Sequence, residues 1–458
     1  HETPIRPASA ADGQGLEEYA RFVKFSMTPG QAKIKQITYE GNGHDAICSS
    51  CPWTNTVMTI MASQKMVYMD HSATTATDPD VVKAMLPWFS LMYGNPSSLY
   101  KIALESKTAI DDARKKVASA LGAEHKEIYF TSGGTESDNW ALVGVAFANR
   151  KKGDHIITSA IEHHAVLHTC KYLEKQGFKV TYLPVDKDGR IQIDDLRAAI
   201  TDRTILVSVM FANNEIGTIQ PVKEIGSVCR ERGVLFHTDA VQAVGNLSID
   251  VAEMKIDLLS LSAHKFYGPK GVGALYIRKG VRVDSYMHGG AQERRKRAGT
   301  ENVPGIVGLG VAIEKAAQNI DNNVSRIRSL RDKLLDKILD EIPNTRLNGD
   351  RNDRLPGNIN ISFQFIEGES LLLLLDNAGI AASTGSACSS GSLEPSHVLL
   401  ATGLPAEIAH GSLRLTLGVE NTDEDVSYVF DEIKKAVERL RVMSPLYADY
   451  IKARSCNV

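Results

Sequence analysis

Short apolar runs alternate with segments of helical periodicity along most of the chain, from Val67 onward. The runs have the length and the β-branched content of buried strands, and the segments between them space apolar residues three and four positions apart. Strands are predicted at residues 127–131, 155–159, 179–183, 204–210, 234–237, 258–260 and 272–277, and helices at 111–121, around 139–142, 166–176 and 222–232. The repeated strand-then-helix order predicts an α/β fold with a mostly parallel sheet and helices on both faces.

The pattern changes near Val303, where a second αβ unit begins. Its predicted elements are helices at 324–342, 370–376 and about 423–442, a strand at 358–363, and a Gly/Ser-rich loop at 383–392. The first of these helices spaces its charges for pairing between residues four apart. We therefore predict a large domain at residues 66–302 and a small C-terminal domain at residues 303–458, which carries the loop.

Residues 1–65 differ from the rest of the chain, because they carry Pro, Gly and Asn breakers and little long periodicity. They contain one C-x-x-C pair, Cys48 and Cys51. A single pair lacks the second two ligands of a structural zinc site, although it could be a redox pair. We interpret residues 1–65 as an extension of uncertain structure.

Composition excludes several classes of protein. The chain has 458 residues and a formal net charge of −3, which argues against a nucleic-acid binder that works by bulk electrostatics. The longest apolar run, Leu371 to Leu375, is far shorter than the ~20 residues needed to span a bilayer, and we see no signal-peptide pattern. Six cysteines are too few for a disulfide scaffold, so we expect reduced thiols and a cytoplasmic protein.

One lysine stands out by its neighbours. Lys265 follows a predicted strand within the segment SAHKFYGPKG (262–271), after Ser262 and His264 and before several glycines. A lone lysine is ordinarily a solvated surface charge. Here, however, the neighbours can bind a phosphate, and a lysine so placed can form a Schiff base with a cofactor aldehyde.

A second phosphate-binding candidate is TSGGTES (131–137), at a predicted strand-to-helix turn. The unpaired N–H groups of a helix N-terminus suit a phosphate. The segment is not a Walker loop, because no Gly-Lys-Ser/Thr follows. On local evidence alone, a simple helix cap by Ser132 or Thr135 is the favoured explanation.

Other polar residues follow the remaining strands. Asp239 could keep a pyridine nitrogen protonated or merely cap a turn, and Gln242 could donate to the phenolic oxygen of such a ring. His163 could stack on a planar ring, and Asn214 could supply amide donors. The adjacent pair His163 and His164 also suggests a metal, but only weakly, because adjacent helical residues do not face one ion.

The loop at 383–392 surrounds Cys388 with small residues, which predicts an exposed segment and a nucleophilic thiol. A free cysteine is most often buried and inert, but this one has almost no apolar neighbour in sequence. Arg414 lies in a strand-like run, where it could hold a carboxylate with two hydrogen bonds. Alone, it would be a surface charge.

Taken together, these motifs resemble the NifS/IscS cysteine desulfurases of the class-V aminotransferase family, from about Met66 to Ala453. The matching segments are YMDHSATT (68–75), GNPSS (94–98), TSGGTES, NNEIG (213–217), HTDAVQ (237–242), SAHKFYGPKG, RAGTEN (297–302) and GSAC (385–388). The resemblance implies the pyridoxal-phosphate (PLP) transferase fold of type I. That fold has a large domain with a mixed, mostly parallel seven-stranded sheet and a smaller α/β C-terminal domain.

The resemblance also implies roles for individual residues. Lys265 would bind PLP covalently, and Cys388, Lys265 and His163 would be the catalytic residues. The implied cofactor contacts are Gly134, Thr135, Ser262 and His264 at the phosphate, Thr300 reaching the phosphate across a dimer interface, Asp239 at the ring nitrogen, Gln242 at the phenolic oxygen, His163 on the ring face, and Asn214. Asn214 and Arg414 would hold the substrate. No intrinsic metal is implied, although Cys388 could be shared with a cluster on a scaffold partner.

The implied activity removes sulfur from L-cysteine, giving L-alanine and a persulfide on Cys388. The implied partners are a second copy of the chain and an iron–sulfur cluster scaffold of the IscU/NifU type, with no nucleic acid or membrane. A selenocysteine lyase or another PLP enzyme of the same fold is the alternative, and would not need Cys388. A non-catalytic sulfur-relay scaffold is a more remote one.

Overall fold

A computed structural model describes residues 66–384 and 395–455. The chain divides into two units, His1–Met66 and Val67–Val458, and all described helices and strands lie in the second. The interpretations of Cys48, Cys51 and the rest of 1–65, and of Cys388, fall outside the described residues.

The strands are short, and several follow directly after a turn. They are β1 (Val67–Tyr68), β2 (Ile128–Thr131), β3 (His155–Ser159), β4 (Lys179–Leu183), β5 (Thr204–Ser208), β6 (Leu235–Asp239), β7 (Leu258–Ser262), β8 (Gly273–Ile277), β9 (Thr345–Leu347), β10 (Asn358–Phe363), β11 (Ile380–Ala381) and β12 (Ser412–Thr416).

The helices range from single turns to long amphipathic rods. They are α1 (Pro79–Met85), α2 (Pro87–Ser90), α3 (Lys101–Leu121), α4 (Gly134–Asn149), α5 (His164–Lys175), α6 (Ile193–Ala199), α7 (Val222–Arg232), α8 (Gln292–Arg295), α9 (Val303–Gln318), α10 (Ile320–Glu341), α11 (Gly368–Asn377), α12 (His397–Ala401), α13 (Ala406–Ala409), α14 (Asp423–Met443) and α15 (Pro445–Ser455). Single 3₁₀ turns lie at His125–Glu127 and Ala263–Lys265.

A seven-stranded sheet lies at the centre, in the order β2-β8-β7-β6-β5-β3-β4. Strand β8 runs antiparallel to both neighbours, and all other neighbours pair in parallel. The predicted mixed, mostly parallel sheet is therefore confirmed. Strands β2, β3, β5, β6 and β7 all end at the same edge of this sheet, so the motifs that follow them meet there, where such sheets place ligands.

A second, three-stranded antiparallel sheet has the order β12-β10-β9, and β1 pairs in parallel with β11. The core beside this three-stranded sheet combines side chains of α10, α11 and α14 with Val67 and Met69, from the start of the described chain. Helix α9, just after the predicted boundary at 302, packs with the central sheet and α3 instead. The division into domains at residue 302 stays a prediction.

Several elements have the predicted bounds, namely β3, β4, α7 and β10. Helix α3 begins at Lys101, ten residues before its predicted start at residue 111, because small residues such as Ala103 and Ser106 occupy its early buried positions. The prediction also lacks α9, whose three glycines lower helix propensity. A Cβ at Gly310 would lie 2.7 Å from the Ala113 Cβ, so glycine permits the close contact between α9 and α3. Within residues 66–384 and 395–455, no helix is long and apolar enough to cross a bilayer.

Candidate active site

Lys265 lies in the 3₁₀ turn that follows β7, at the ligand-binding edge of the sheet. Its Nζ donates to the carbonyl oxygen of Ala73, at 2.8 Å, and to that of Ser72. The amide of Gln242 donates to the same Ser72 carbonyl at 2.9 Å. The segment after β1 therefore brings together the predicted lysine and the predicted glutamine.

A buried acidic cluster lies at the end of β6. One ligand atom each of Asp138, His163 and Asp239 lie within 4.8 Å of one another. The Asp239 carboxylate accepts from the Val241 N–H at 2.9 Å, and burial raises its pKa to about 6. Burial and the nearby charge of Asp239 raise the pKa of Asp138 well above its usual range.

The predicted catalytic residues also interact electrostatically. Burial, followed by the positive charge of Lys265, lowers the pKa values of both His163 and His264 to about 4. The same charge lowers the pKa of Asp239, against the larger effect of burial. The charge of Lys265 thus affects residues at the ends of three different strands.

The TSGG turn forms the other end of this site. Helix α4 begins at Gly134, and a Cβ added there would lie 2.5 Å from Val241 Cγ2. A Cβ at Gly133 would lie 3.6 Å from Ser262 Oγ, so the turn packs next to the serine of the lysine segment. The Gly133 N–H donates to Thr131 Oγ1 at 3.4 Å, whereas the first intrahelical hydrogen bond of α4 runs from the Ser137 N–H to the Gly133 carbonyl. The N–H groups of the first turn of α4 precede that bond and suit an anion.

Arg414 is buried in β12 and faces the site from the smaller sheet. Its Nη2 lies 2.8 Å from Asp70 Oδ1, and its Nη1 donates to the Asn214 carbonyl at 3.2 Å. Its Nε is buried and has no hydrogen-bond partner among the described residues. The arginine therefore keeps one buried donor beside the predicted substrate residue Asn214.

Both described ends of the segment that carries Cys388 are held at this site. Ser383 pairs with Arg414 through two backbone hydrogen bonds, Ser383 N–H to Arg414 O and Arg414 N–H to Ser383 O. At the other end, Ser396 Oγ donates to Glu215 Oε2 at 2.5 Å. Residues 385–394 lie outside the described part, and with them Cys388.

Two predicted cofactor residues have side chains open to solvent. Thr135 lies in the first turn of α4, and Thr300 follows α8; both are exposed. Among the described cysteines, Cys170 and Cys229 are buried and free. Burial raises the pKa of Cys229 to about 12 and raises that of Cys170 further.

The sequence analysis missed three acidic residues that the structure places here: Asp70, Asp138 and Glu215. Asp138 had a recognisable signal, because it is the one charged residue among the buried positions of α4, four residues after Gly134. Asp70 pairs with Arg414 across 344 positions of sequence, and local pattern gives no sign of such a contact.

Comparisons with known proteins agree with this geometry. Residues 67–429 match the aminotransferase class-V family. The chain is 60% identical over 390 residues to cysteine desulfurase IscS of Clostridium botulinum (strain Hall), covering 85% of this chain and 98% of that protein. It is 63% identical over 387 residues to the protein of the same name from Methanosarcina thermophila, covering 84% and 96%.

Solved structures give the same result. A NifS-like protein superposes with a TM-score of 0.78 at 40% identity, covering 82% of this chain and all of that one. A NifS-like protein from Rickettsia africae superposes with a TM-score of 0.73 at 30% identity, covering 82% and 100%. The sheet order, the placement of the motifs and these similarities agree, and the chain therefore belongs to the aminotransferase class-V family, among the NifS/IscS cysteine desulfurases.

Proposed function

We propose that this protein is a PLP-dependent cysteine desulfurase, which converts L-cysteine to L-alanine and carries the sulfur as a persulfide on Cys388. One set of contacts supports this most directly. Lys265 and Gln242 both donate to the Ser72 carbonyl, and at the same sheet edge one ligand atom each of His163, Asp239 and Asp138 lie within 4.8 Å of one another. The named relatives at 60% and 63% identity are cysteine desulfurases.

The residues present fit the cofactor. Asp239 is a buried carboxylate beside a lysine, which suits a protonated ring nitrogen, and the glycine turn beside Ser262 suits a phosphate. We propose that Lys265 binds the cofactor covalently through Nζ. The remaining contacts would be Asp239 at the ring nitrogen, Gln242 at the phenolic oxygen, His163 and Asn214 at the ring, and Gly134, Thr135, Ser262 and His264 at the phosphate. When bound, PLP would withdraw electron density from the substrate Cα.

The protein's own groups then have separate tasks. Once the substrate amine has displaced it from the cofactor, Lys265 Nζ would take the proton from the substrate Cα, since it is the basic group at the centre of the site. Arg414 would bind the substrate carboxylate with its unpaired Nε and a guanidinium already oriented by Asp70. Asn214, whose carbonyl accepts from Arg414, would hold the substrate beside it.

Cys388 would supply the nucleophile. Its thiolate would attack the substrate sulfur, so that an S–S bond forms, the Cβ–S bond breaks, and Cβ gains a proton to give alanine. Ser383 and Ser396, which flank the segment that carries Cys388, contact Arg414 and Glu215. Cys170 and Cys229 are buried, and their thiols resist ionisation.

We further propose that the protein is a homodimer. A run of large apolar side chains near α2 and α3 is strongly exposed, between 57% and 90%, which is typical of an interaction surface. Its members are Phe89, Leu91, Tyr93, Leu99 and Tyr100. The exposed Thr300 would then reach the phosphate site of the second copy.

We also propose that the sulfur acceptor is an iron–sulfur cluster scaffold of the IscU/NifU type and that the protein acts in the cytoplasm. The chain would fold as a large domain at residues 66–302 and a small domain at residues 303–458. No observation favours selenocysteine as the substrate, and relative rates with the two amino acids would decide.

The test uses the purified, cofactor-loaded protein with L-cysteine, and measures alanine together with the site of persulfide formation by alkylation and mass spectrometry. Cys388→Ser should keep the cofactor absorbance and lose alanine formation, while the matched control Cys229→Ser should retain turnover. Normal turnover in Cys388→Ser, or a persulfide trapped on Cys170 or Cys229, would contradict the proposal.

A further inference from the structure

Glu215, in the NNEIG turn, has a buried carboxyl group that the proposed reaction does not use. Its Oε2 accepts a hydrogen bond from Ser396 Oγ at 2.5 Å, across 181 positions of sequence. Ser396 is also buried, and it immediately precedes α12, after the segment that carries Cys388. This hydrogen bond therefore connects the NNEIG turn to the point where that segment rejoins the described fold.

The backbone of Glu215 is held by hydrogen bonds from two sides. Asn213 Oδ1 accepts from the N–H groups of Glu215 and Ile216, at 2.8 and 3.0 Å. The Glu215 carbonyl accepts from the side-chain amides of Asn358 and Asn360 on β10, at 3.1 and 3.2 Å. The Glu215 side chain thus extends from a fixed backbone and can orient another group.

The group that it orients is the hydroxyl that caps α12. Ser396 Oγ accepts from the N–H groups of Val398 and Leu399, at 3.2 and 3.3 Å, as an N-cap does. Because these bonds use the lone pairs of the hydroxyl, its one hydrogen is donated to Glu215. Val398 and Leu399 are buried in an apolar cluster that also contains Ile216. Glu215 and Ser396 therefore fix the beginning of α12 against the NNEIG turn.

The same turn contacts the proposed substrate residues. Asn214, next to Glu215, accepts through its carbonyl from Arg414 Nη1 at 3.2 Å. Burial raises the pKa of Glu215 to about 7, against the positive charge of Arg414. Glu215 is therefore adjacent in sequence to a residue that would hold the substrate, and one hydrogen bond away from the end of the segment that would take the sulfur.

We propose that Glu215 is a positioning residue for the transfer of sulfur to Cys388. Through Ser396, it fixes the point where the segment that carries Cys388 rejoins the fold, relative to the substrate residue Asn214. Its loss should slow sulfur transfer and leave cofactor binding intact, whereas a purely structural carboxyl group would affect only the stability of the fold. This inference rests on the proposed desulfurase function.

The experiment uses the cofactor-loaded full chain and measures by rapid quench the alanine formed from L-cysteine in the first turnover. We expect Glu215→Ala and Ser396→Ala each to lower this rate about tenfold, with unchanged cofactor absorbance and less than about a threefold change in the half-saturating cysteine concentration. The double variant should also lose about tenfold rather than about a hundredfold, because both substitutions remove the same interaction.

Conservative and control variants isolate the hydrogen bond. Glu215→Gln should stay within about threefold of the unmodified rate, because its amide oxygen can still accept from Ser396. Glu407→Ala, which changes an exposed glutamate on α13, is the matched control and should keep the full rate. Glu215→Leu fills the same space without an acceptor, and replaces Glu215→Ala if that variant does not fold.

Amide hydrogen exchange measures the anchor without catalysis. The N–H groups of Val398 and Leu399 should exchange about tenfold faster in Glu215→Ala than in the unmodified protein, and Glu215→Gln should restore slow exchange. Unmodified first-turnover rates in both single variants would overturn the inference, as would multiplied losses in the double variant or unchanged exchange in Glu215→Ala. An unmodified protein that forms no alanine would overturn the desulfurase proposal as well, which separates that failure from a failure of the positioning role alone.

Discussion

The two ends of the proposed cofactor site differ in charge: one lies at the end of β6 (the sheet end), and the other is the TSGG turn before α4 (the turn end). At the sheet end, Asp239 and Asp138 are fully buried carboxyl groups with raised pKa values, next to His163. At the turn end, Gly133 and Gly134 present uncharged backbone beside Ser262, and the nearby Glu136 carboxylate is paired with Arg297. The sheet end therefore buries carboxyl groups whose ionisation a positively charged ligand would favour, and the turn end offers neutral donors to an anion.

This difference fits the proposed cofactor, PLP, which would carry a positive ring nitrogen and a negative phosphate. A buried carboxylate costs free energy unless it is paired, so the sheet end favours a ligand with a positive group. Backbone N–H groups that face water add little to the free energy of the unliganded protein, so the turn end can be stable before a phosphate binds. Substitutions at the sheet end should therefore affect chemistry, and substitutions at the turn end should affect cofactor affinity.

Replacing the lysine between the two ends should have the largest effect. We expect Lys265→Ala to lose the covalently bound cofactor, since it removes the attachment point. Because it also removes the base, alanine formation should fall by more than about 10⁴-fold, which corresponds to ~5.5 kcal/mol or more in activation free energy. Cofactor absorbance after gel filtration and an alanine assay measure the two losses. Lys270→Ala, in the same segment, is the control and should keep both properties; retention of both in Lys265→Ala would refute the assignment.

The sheet end can be tested by removing charge without changing shape. We expect Asp239→Asn to reduce turnover about 10³-fold, ~4 kcal/mol, because the ring nitrogen loses its counter-charge. Asp138→Asn should cost less than about tenfold, since burial already favours the neutral form of Asp138. Turnover at saturating cofactor and the position of the cofactor absorbance maximum measure both. Equal losses in the two variants would show that the carboxyl groups act as one unit.

The sequence predicted the central sheet and the motifs that follow its strands, because each motif is local: a strand ends, and the next few residues carry the chemistry. Lys265, Asp239 and His163 lie where that pattern placed them. The contact between Arg414 and Asp70 could not be predicted, since it joins a residue just after β1 to a residue of β12 across 344 positions of sequence. Nor could the raised pKa of Glu215, which results from burial and is visible only in the folded chain.

The turn end should respond to bulk more than to charge. A methyl group at Gly134 would lie 2.5 Å from Val241 Cγ2, so Gly134→Ala should push the turn away from the phosphate. We expect cofactor affinity to fall about three- to tenfold, ~1 kcal/mol, with little change in turnover once the site is filled. Fluorescence titration of PLP into cofactor-free protein measures this. Gly134→Ala/Val241→Ala should recover affinity because the added methyl then has room; a double variant no better than the single one would exclude the steric explanation.

The smallest effect concerns the pH dependence of stability in the cofactor-free protein. Burial raises the pKa of Glu162 to about 8 and that of Glu215 to about 7, so both groups bind more protons in the folded chain than in the unfolded chain near neutral pH. A group with a raised pKa stabilises the fold when protonated, and that contribution is lost as the pH rises toward its folded pKa. The lowered pKa values of His163 and His264 act in the opposite direction, but only below about pH 6.5, where the unfolded histidines become charged. Stability should therefore fall between pH 6.5 and pH 8.

Glu162→Gln isolates this contribution, because the glutamine keeps the shape and cannot ionise. Glu162 Oε1 accepts from Ser159 Oγ at 2.6 Å and from the Met210 N–H at 2.9 Å, and a correctly oriented amide oxygen can accept both. The folded unmodified chain holds about one more proton at Glu162 than the unfolded chain does, and the variant loses this difference. The decrease of the unfolding free energy with pH should therefore become less steep by about 1 kcal/mol per pH unit between pH 6.5 and pH 7.5. Urea unfolding of the cofactor-free protein at several pH values measures the slope, with Glu174→Gln on the exposed face of α5 as the control. Two results would contradict this prediction: a slope that is the same in Glu162→Gln and in the unmodified protein, or an unfolding free energy of the unmodified protein that increases from pH 6.5 to pH 8. Either would mean that Glu162 is ionised in the folded chain. The buried carboxyl groups near the sheet edge would then be paired more fully than their burial implies.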